Sequence, residues 1–152
     1  MSDVETKCAV VAVIGAPNAG KSTLVNALVG AKISIVTQKV QTTRARVRGI
    51  LTEDETQLVF IDTPGIFAPR RKLDRAMVAA AWEGLDGADA TLLVIDAPMY
   101  LEGEHEKGGA GKSRADTDRI IETLQNTQRK AVLVLNKIDD IARPKLLALA
   151  QG

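Results

Sequence analysis

A glycine-rich segment, Gly15–Ser22 (GAPNAGKS), follows directly on the apolar run Cys8–Ile14. It matches the phosphate-binding pattern G-x-x-x-x-G-K-[ST] at every fixed position. The apolar run predicts a buried strand, and Lys21–Val29 predicts a helix that ends before Gly30. A strand, a glycine loop and a helix in this order direct backbone N–H groups and the positive end of the helix dipole at an anion. The segment therefore predicts a phosphate site in an α/β protein.

Two side chains of this motif have specific expected roles. Lys21 supplies a positive charge for the β- and γ-phosphates of a nucleotide, and Ser22 supplies a hydroxyl ligand for Mg²⁺. The residues predicted to bind nucleotide here are Gly15, Ala16, Pro17, Asn18, Ala19, Gly20, Lys21, Ser22 and Thr23.

The composition predicts one soluble domain with an ordinary core, since 45% of the 152 residues are apolar and 26% are charged. A net charge of +1 favours neither nucleic acid nor an acidic partner. The N-terminal segment Met1–Lys7 is polar, unlike a signal peptide, and no apolar run is long enough to span a membrane. The lone Cys8, inside the first predicted strand, is expected to be buried and suits a reducing cytoplasm.

Apolar runs alternate with helical patterns along the chain, which predicts a mainly parallel sheet with helices on both faces and ligands at the carboxyl ends of the strands. An acidic turn after Leu51 is compatible with an antiparallel hairpin, and Ala31–Thr43 is a polar connection. The predicted strands are Cys8–Ile14, Arg44–Leu51, Gln57–Ile61, Ala90–Ile95 and Ala131–Leu135. The predicted helices are Lys21–Val29, Leu73–Leu85, Arg114–Gln125 and Lys145–Ala150.

A second motif, Asp62–Gly65 (DTPG), follows the predicted strand Gln57–Ile61. Alone it would predict a β-turn. Downstream of a phosphate loop, Asp62 is placed to hold Mg²⁺ through water, and Gly65 can bring its backbone N–H close to a γ-phosphate. The nucleotide-binding residues predicted here are Asp62, Thr63, Pro64 and Gly65.

A third motif, Asn136–Asp139 (NKID), follows the predicted strand Ala131–Leu135. A carboxylate at Asp139 can accept hydrogen bonds from the ring N–H and the exocyclic amino group of guanine. Adenine has no such donor pair, and unmatched buried polar groups reject the wrong base. Asn136 and the stem of Lys137 are expected to brace the base. Together the three motifs predict a guanine-nucleotide site.

With these motifs the chain resembles translation-factor-type GTPases with a Ras-like P-loop domain, and more narrowly the Era family. The resemblance rests on Gly15–Gly30, Lys32–Thr37 and Gln41–Arg44 and covers nearly all of residues 8–150. It implies that Gln41–Arg44 is the first switch, in which a Thr closes on Mg²⁺ and the γ-phosphate. Thr42 and Thr43 are both candidates, and Thr43 is favoured. The implied catalytic residues are Lys21, Thr43 and Gly65, and the implied Mg²⁺ ligands are Ser22, Thr43 and Asp62.

Two residues refine the implied mechanism. Ile66 stands where Ras-type enzymes carry a Gln, and an Ile cannot orient water, so GTP hydrolysis is expected to be slow or to need help. Asn18 matches GTPases that bind K⁺ beside the phosphates, which implies K⁺-stimulated hydrolysis with Asn18 as one ligand. Alternatively, Asn18 merely tolerates an unusual backbone angle.

Other polar segments receive plainer interpretations. The run Gly108–Ser113 resembles a second phosphate loop but lacks the first glycine and a preceding strand, so Glu102–Gly111, with His105, is expected to be a flexible surface loop. Two basic groups flank the switch segments and are equally compatible with RNA or protein contact and with a solvated surface. They are Lys39, Arg44, Arg46 and Arg48, and Arg70, Arg71, Lys72 and Arg75.

The chain departs from the family at its C-terminal end. Era proteins continue with a further strand and loop that complete the guanine site, a last helix and an RNA-binding KH domain, none of which is found before Gly152. We therefore expect a tail at residues 1–7 and a GTPase domain at 8–152 that is incomplete at its C-terminus. The strand Ala131–Leu135 would be an apolar edge that favours association, and uncovered sheet surface would lower stability and solubility.

The resemblance implies a GTP-binding and GTP-hydrolysing switch in maturation of the small ribosomal subunit, with ribosomal RNA and the pre-ribosomal small subunit as partners. It also implies a cytoplasmic location, with peripheral association of the full-length protein at the inner face of the cell membrane. Two alternatives stay open: a nucleotide-binding module with little turnover, and a sister-family GTPase of tRNA modification or large-subunit assembly.

Overall fold

The computed structural model describes residues 5–16, 19–30, 46–62, 79, 82–83, 85–103 and 108–152. These residues contain a five-stranded sheet with the strand order β2-β3-β1-β4-β5. Its strands are β1 (Lys7–Ile14), β2 (Arg46–Glu53), β3 (Thr56–Asp62), β4 (Ala90–Asp96) and β5 (Val132–Asn136). β1 is parallel to β3 and β4, β4 is parallel to β5, and β2 is antiparallel to β3. The predicted mainly parallel sheet is confirmed.

Four helices are described over their whole length, and all but Ala97–Glu102 were predicted. They are α1 (Lys21–Val29), α2 (Ala97–Glu102), α3 (Gly109–Asn126) and α4 (Arg143–Gln151), with short 3₁₀ turns at Leu85–Gly87 and Ile138–Asp140. The predicted helix Leu73–Leu85 lies mostly outside the described residues. Those of its residues that are described as helical are Ala79, Trp82 and Glu83. None of the helices in these ranges has both the length and the apolar character that a bilayer crossing requires.

Alternating side chains of the strands divide the core between the two sheet faces. On one face, Ile14, Leu93 and Ile95 pack with Ile120 and Leu124 of α3. On the other face, Val11, Val13, Phe60 and Val94 pack with Val25 and Val29 of α1. Each fully buried aliphatic side chain contributes about 1.5–3 kcal/mol to the free energy of unfolding. The two layers fix the sheet between the helices and so position the loops at its carboxyl edge.

The hairpin allowed by the acidic turn is present. β2 and β3 pair antiparallel, with a register irregularity between Val47 and Gly49. Asp54 has φ 51°, the left-handed conformation that Asp adopts more easily than most residues. This explains how the chain reverses at Asp54 and Glu55 with no glycine in the turn.

Two predictions about individual segments were wrong. Cys8 is exposed, because the first residues of β1 extend beyond the buried half of the strand, and its Sγ lies 3.9 Å from the Gln57 side-chain oxygen. The run Glu102–Gly111 is not wholly a loop, since α2 ends at Glu102 and α3 begins at Gly109 rather than at Arg114. The position of His105 lies outside the described residues.

Tertiary contact explains the early start of α3. Ala110 is buried, and a Cβ on Gly103 would lie only 2.5 Å from the Ala110 carbonyl oxygen and 2.7 Å from the Arg114 Cβ. α2 and α3 therefore pack closely because residue 103 has no side chain. This packing overrides the low helix propensity of the glycines.

β5 forms one edge of the sheet in the described residues. Val132 is 58% exposed and Leu133 is 43% exposed, which agrees with the expected apolar edge. A cavity of about 860 Å³ lies beside this edge, between β4, β5, α3 and α4. Its lining is mainly apolar and includes Leu93, Leu133, Leu135, Ile121 and Leu149, but no residue of the phosphate loop.

Candidate functional site

The phosphate loop leaves the carboxyl end of β1 and passes close to β4. A Cβ on Gly15 would collide with the Val94 carbonyl oxygen, so only glycine fits this approach. Ala16 and Ala19 are buried in the turn that follows. Pro17 and Asn18 lie outside the described residues, and their predicted roles stay predictions.

Lys21 directs its ammonium group back into this loop. Its Nζ donates hydrogen bonds to the Gly15 carbonyl at 2.9 Å and to the Ala16 carbonyl at 3.0 Å. The cation therefore lies between the start of the loop and the start of α1. This is the position at which a positive charge can attract a phosphate group.

The N-terminus of α1 carries no side-chain cap. Its N-cap residue is Gly20, with φ +94° and ψ 22° in the left-handed region. Ser22 and Thr23, predicted to bind nucleotide, are exposed in the first turn of the helix. The backbone N–H groups of a helix start and the positive end of its dipole both favour an anion here.

The end of β5 contacts the phosphate loop directly. The Asn136 side-chain amide donates a hydrogen bond to the Ala19 carbonyl at 3.0 Å. A Cβ on Gly20 would collide with the same amide nitrogen. The third motif is therefore packed against the first, although 117 residues separate Asn136 from Ala19 in the chain.

Lys137 and Asp139 follow Asn136 in the third motif. Lys137 has φ 60° and ψ 39°, and its Nζ lies 2.7 Å from Oδ2 of the buried Asp96. Asp139 lies in the 3₁₀ turn Ile138–Asp140 and its side chain is exposed. An exposed carboxylate three residues after Asn136, which contacts the phosphate loop, is available to accept hydrogen bonds from a ligand.

The second motif is described only at its first residue. Asp62 ends β3 and is in register with Val13 near the end of β1, so its backbone lies at the same sheet edge as the phosphate loop. The side chain of Asp62, the following Thr63, Pro64 and Gly65, and Thr43 lie outside the described residues. Their predicted contacts with Mg²⁺ and phosphate stay predictions.

One member of this site was missed by sequence reasoning. Asp96, at the carboxyl end of β4, accepts hydrogen bonds from both Lys137 and the Met99 backbone N–H. Its signal was an acidic residue after an apolar strand and two positions before Pro98, which is typical of a helix N-cap. The short helix α2 that it caps was missed with it.

Comparison with known proteins identifies the family. Residues 10–137 match the family model described as "50S ribosome-binding GTPase". The Era GTPase of Maricaulis maris is 55% identical over 153 residues, which cover 99% of this chain and 49% of that protein. The Era GTPase of Caulobacter vibrioides is 56% identical over 149 residues, which cover 97% of this chain and 47% of that protein. The chain thus spans about half the length of these curated relatives.

A solved structure gives the same result. The crystal structure of Era in complex with MgGDPNP and nucleotides 1506–1542 of 16S ribosomal RNA superposes with a TM-score of 0.66 at 37% identity, covering 97% of this chain and 46% of that one. The resemblance to Era and the P-loop GTPase fold, both expected from the three motifs, are confirmed. The chain belongs to the family of 50S ribosome-binding GTPases, and its similar relatives within that family are Era GTPases.

Proposed function

We propose that this chain binds GTP and GDP with Mg²⁺ and hydrolyses GTP as a molecular switch. The observation that carries the proposal is the hydrogen bond from the Asn136 amide to the Ala19 carbonyl at 3.0 Å. It joins the segment predicted to read the base to the segment predicted to hold the phosphates. This contact brings the two segments close enough for a single nucleotide to reach both.

The base is selected by Asp139. Its carboxylate accepts hydrogen bonds from the two N–H groups on one edge of guanine, and adenine would leave that carboxylate unmatched. The Lys137 stem lies along the base, and Asn136 fixes the turn against the loop. Asp139→Asn replaces one acceptor oxygen by a donor, so it is expected to remove the preference for GDP over ADP.

The phosphates bind at the loop and the N-terminus of α1. Lys21 exchanges its bonds to the Gly15 and Ala16 carbonyls for the β- and γ-phosphates when nucleotide enters. Hydroxyl and carboxylate oxygens suit Mg²⁺, and Ser22, Thr43 and Asp62 are the residues that would hold it. Mg²⁺, when bound, neutralises charge that develops on the phosphates. Support comes from the relative solved with MgGDPNP.

Hydrolysis is an in-line attack of water on the γ-phosphate. Lys21 and the backbone N–H of Gly65 would stabilise the developing negative charge. Ile66 has no group that can orient the water, so we expect slow turnover. GTP turnover is measured for the chain and for Lys21→Ala, and the proposal requires turnover that this substitution abolishes.

Potassium is proposed to stimulate the reaction, with Asn18 as one ligand. The support is the residue type at this position of the phosphate loop. The rate of GTP hydrolysis is compared in potassium and sodium buffers of equal ionic strength, for the chain and for Asn18→Ala. Faster turnover in potassium that depends on Asn18 is expected, and equal rates would contradict this part of the proposal.

The cellular role proposed for the whole protein is small-subunit maturation in the cytoplasm through binding of ribosomal RNA, with peripheral association at the inner membrane surface. The 16S RNA bound to the related Era structure supports the small subunit, whereas the family description names the 50S subunit and favours a large-subunit role. Competition between 16S and 23S RNA fragments, measured with a GTP analogue bound, separates the two.

A module that binds nucleotide without useful turnover is the second candidate. It is favoured by Ile66, which stands where Ras-type enzymes carry a Gln and has no group that can orient the attacking water. Tight GDP binding together with GTP turnover no faster than in buffer alone would support this candidate over the enzyme.

A further inference from the structure

Asp96 lies next to Asn136 and Lys137, which belong to the motif proposed to bind guanine. It ends β4 in register with Asn136 of β5, and its side chain is only 9% exposed. One carboxylate oxygen, Oδ2, lies 2.7 Å from the Lys137 Nζ. The other oxygen, Oδ1, accepts a hydrogen bond from the Met99 backbone N–H at 3.1 Å.

The two oxygens have separate tasks, and this fixes the direction of the carboxylate. A buried carboxylate is stable only when it is paired and hydrogen-bonded. Oδ1 caps the N-terminus of α2, which holds the group against rotation, and Oδ2 is then directed at Lys137. The Lys137 ammonium is therefore paired with a carboxylate that β4 and α2 hold in place.

The ion pair with Asp96 restrains the side chain of Lys137, which is partly open to solvent. Its side chain is 49% exposed, and a free lysine stem loses up to about 2 kcal/mol of rotamer entropy when it is ordered. Its backbone is left-handed at φ 60°, a conformation that costs a residue with a side chain roughly 1–2 kcal/mol. An anchored ammonium favours this one arrangement over the many that an exposed lysine can adopt.

The anchored stem passes the start of α1. The Lys137 Cε lies 3.8 Å from the position that a Cβ on Gly20 would occupy. The stem thus runs between the phosphate loop and β4, next to the turn that carries Asp139. Its position sets one wall of the space available to a base.

We propose that Asp96 is a positioning residue for guanine recognition, which acts by fixing the Lys137 side chain as a preformed wall of the base site. The proposal rests on the proposed guanine-binding function. Asp96 itself does not touch the nucleotide. It lowers the entropy that Lys137 loses when a base binds, so its effect appears mainly in the rate at which GDP leaves.

The test is the dissociation rate and affinity of GDP for the 152-residue chain. Asp96→Asn keeps an oxygen to cap α2 and removes the charge that holds Lys137, and it is expected to speed GDP release about tenfold. Asp96→Ser, which also keeps a capping oxygen, is expected to act in the same direction. Asp86→Asn is the matched control, since it breaks the exposed ion pair with Arg129 at 2.7 Å, and it is expected to leave the rate unchanged.

A double-substitution cycle separates positioning from a general structural role. In a Lys137→Met background the stem remains but the ammonium is absent, so Asp96→Asn is expected to change GDP release less than about twofold. Unchanged release in Asp96→Asn, or an equal effect in both backgrounds, would overturn the inference.

Asp139→Asn reports on the guanine site itself: if GDP affinity survives that substitution, the proposed function fails and the inference falls with it. If Asp139→Asn abolishes GDP binding and Asp96→Asn has no effect, only the inference fails.

Discussion

Gly20 of the phosphate loop lies against Asn136, the first residue of the motif Asn136–Asp139 that is proposed to bind guanine. It has φ +94°, which a residue with a side chain rarely adopts, and it faces the Asn136 amide at a distance that leaves no room for a Cβ. The motif pattern predicts a glycine here from the loop alone. The contact with Asn136 supplies a second reason, which the pattern does not contain because it depends on how β5 packs.

Gly20→Ala is expected to destabilise the fold by about 1–3 kcal/mol from backbone strain, and to weaken GDP binding because the new Cβ displaces Asn136. Unfolding by denaturant and GDP titration measure the two effects. Gly30→Ala is the control, since Gly30 also has positive φ, at 67°, but no atom lies within 4 Å of the position that its Cβ would occupy. It should lose stability and keep its GDP affinity. An equal loss of affinity in both variants would contradict the proposed link between the loop and Asn136.

The residue types in the sequence predicted which side chains could bind a nucleotide, but they did not predict all the contacts among those side chains. Asn136, Lys137 and Asp139 were identified from their order after an apolar strand, because parallel strands bring their carboxyl ends to one sheet edge. Asp96 was missed, since a single acidic residue at a strand end predicts a helix cap and gives no sign of a partner 41 residues later. Thr43, Asn18 and the contacts of Asp62 remain predictions from residue type.

At the level of elements, apolar runs predicted the strands well. β1, β4 and β5 begin or end within one residue of their predicted bounds, since each is a short apolar run with few alternatives. The helix α2 and the first turns of α3 were not predicted. The first turn of α3 is rich in glycine, and both segments form because α2 packs on α3 through Gly103 and Ala110.

Gly103→Ala is expected to lower the free energy of unfolding by about 1–3 kcal/mol, because the added methyl overpacks the contact between α2 and α3. The backbone of Gly103 is already right-handed helical, at φ −62° and ψ −12°, so the loss comes from packing. Gly109→Ala is the control: no atom lies within 4 Å of its Cβ position, so this substitution at the first residue of α3 is expected not to lower the free energy of unfolding. Denaturant unfolding measures both, and a stable Gly103→Ala variant would contradict the described packing.

The exposed edge at β5 predicts association of the chain with itself. Val132 and Leu133 are 58% and 43% exposed, and an apolar edge strand offers unpaired backbone groups to another chain. In sedimentation experiments the average mass of the chain is expected to rise with protein concentration. Val132→Lys is expected to reduce this rise. Leu147→Lys, at an apolar residue of α4 that is 63% exposed, is the control for added charge. If both variants act alike, the edge strand is not the cause.

At the level of the whole molecule, the sheet lies between two helical layers, and each of the three predicted nucleotide-binding motifs follows one of its strands. The carboxyl ends of β1, β3 and β5 lie on the same side of the sheet, and the phosphate loop, Asp62 and Asn136 lie there. The parallel direction of most strands could be predicted from the alternation of strands and helices along the chain. The register of β4 with β5, which places Asp96 opposite Asn136, could not, because short apolar runs do not specify their alignment.

Nucleotide binding is expected to stabilise the entire domain. A ligand that binds only the folded chain adds about 2.7 kcal/mol to the free energy of unfolding at about 100 times its dissociation constant. GDP with Mg²⁺ should therefore raise the unfolding temperature, whereas ADP at the same concentration should not. A similar shift with both nucleotides would indicate phosphate binding without selection of the base.

The most direct test of the account is a calorimetric titration of the chain with GDP and with ADP in Mg²⁺ and potassium, repeated with Asp139→Asn. Selective GDP binding, lost in the variant, is expected because the phosphate loop and the motif Asn136–Asp139 meet through Ala19, Gly20 and Asn136. Equal binding of GDP and ADP, or GDP binding that is unaffected by Asp139→Asn, would contradict it.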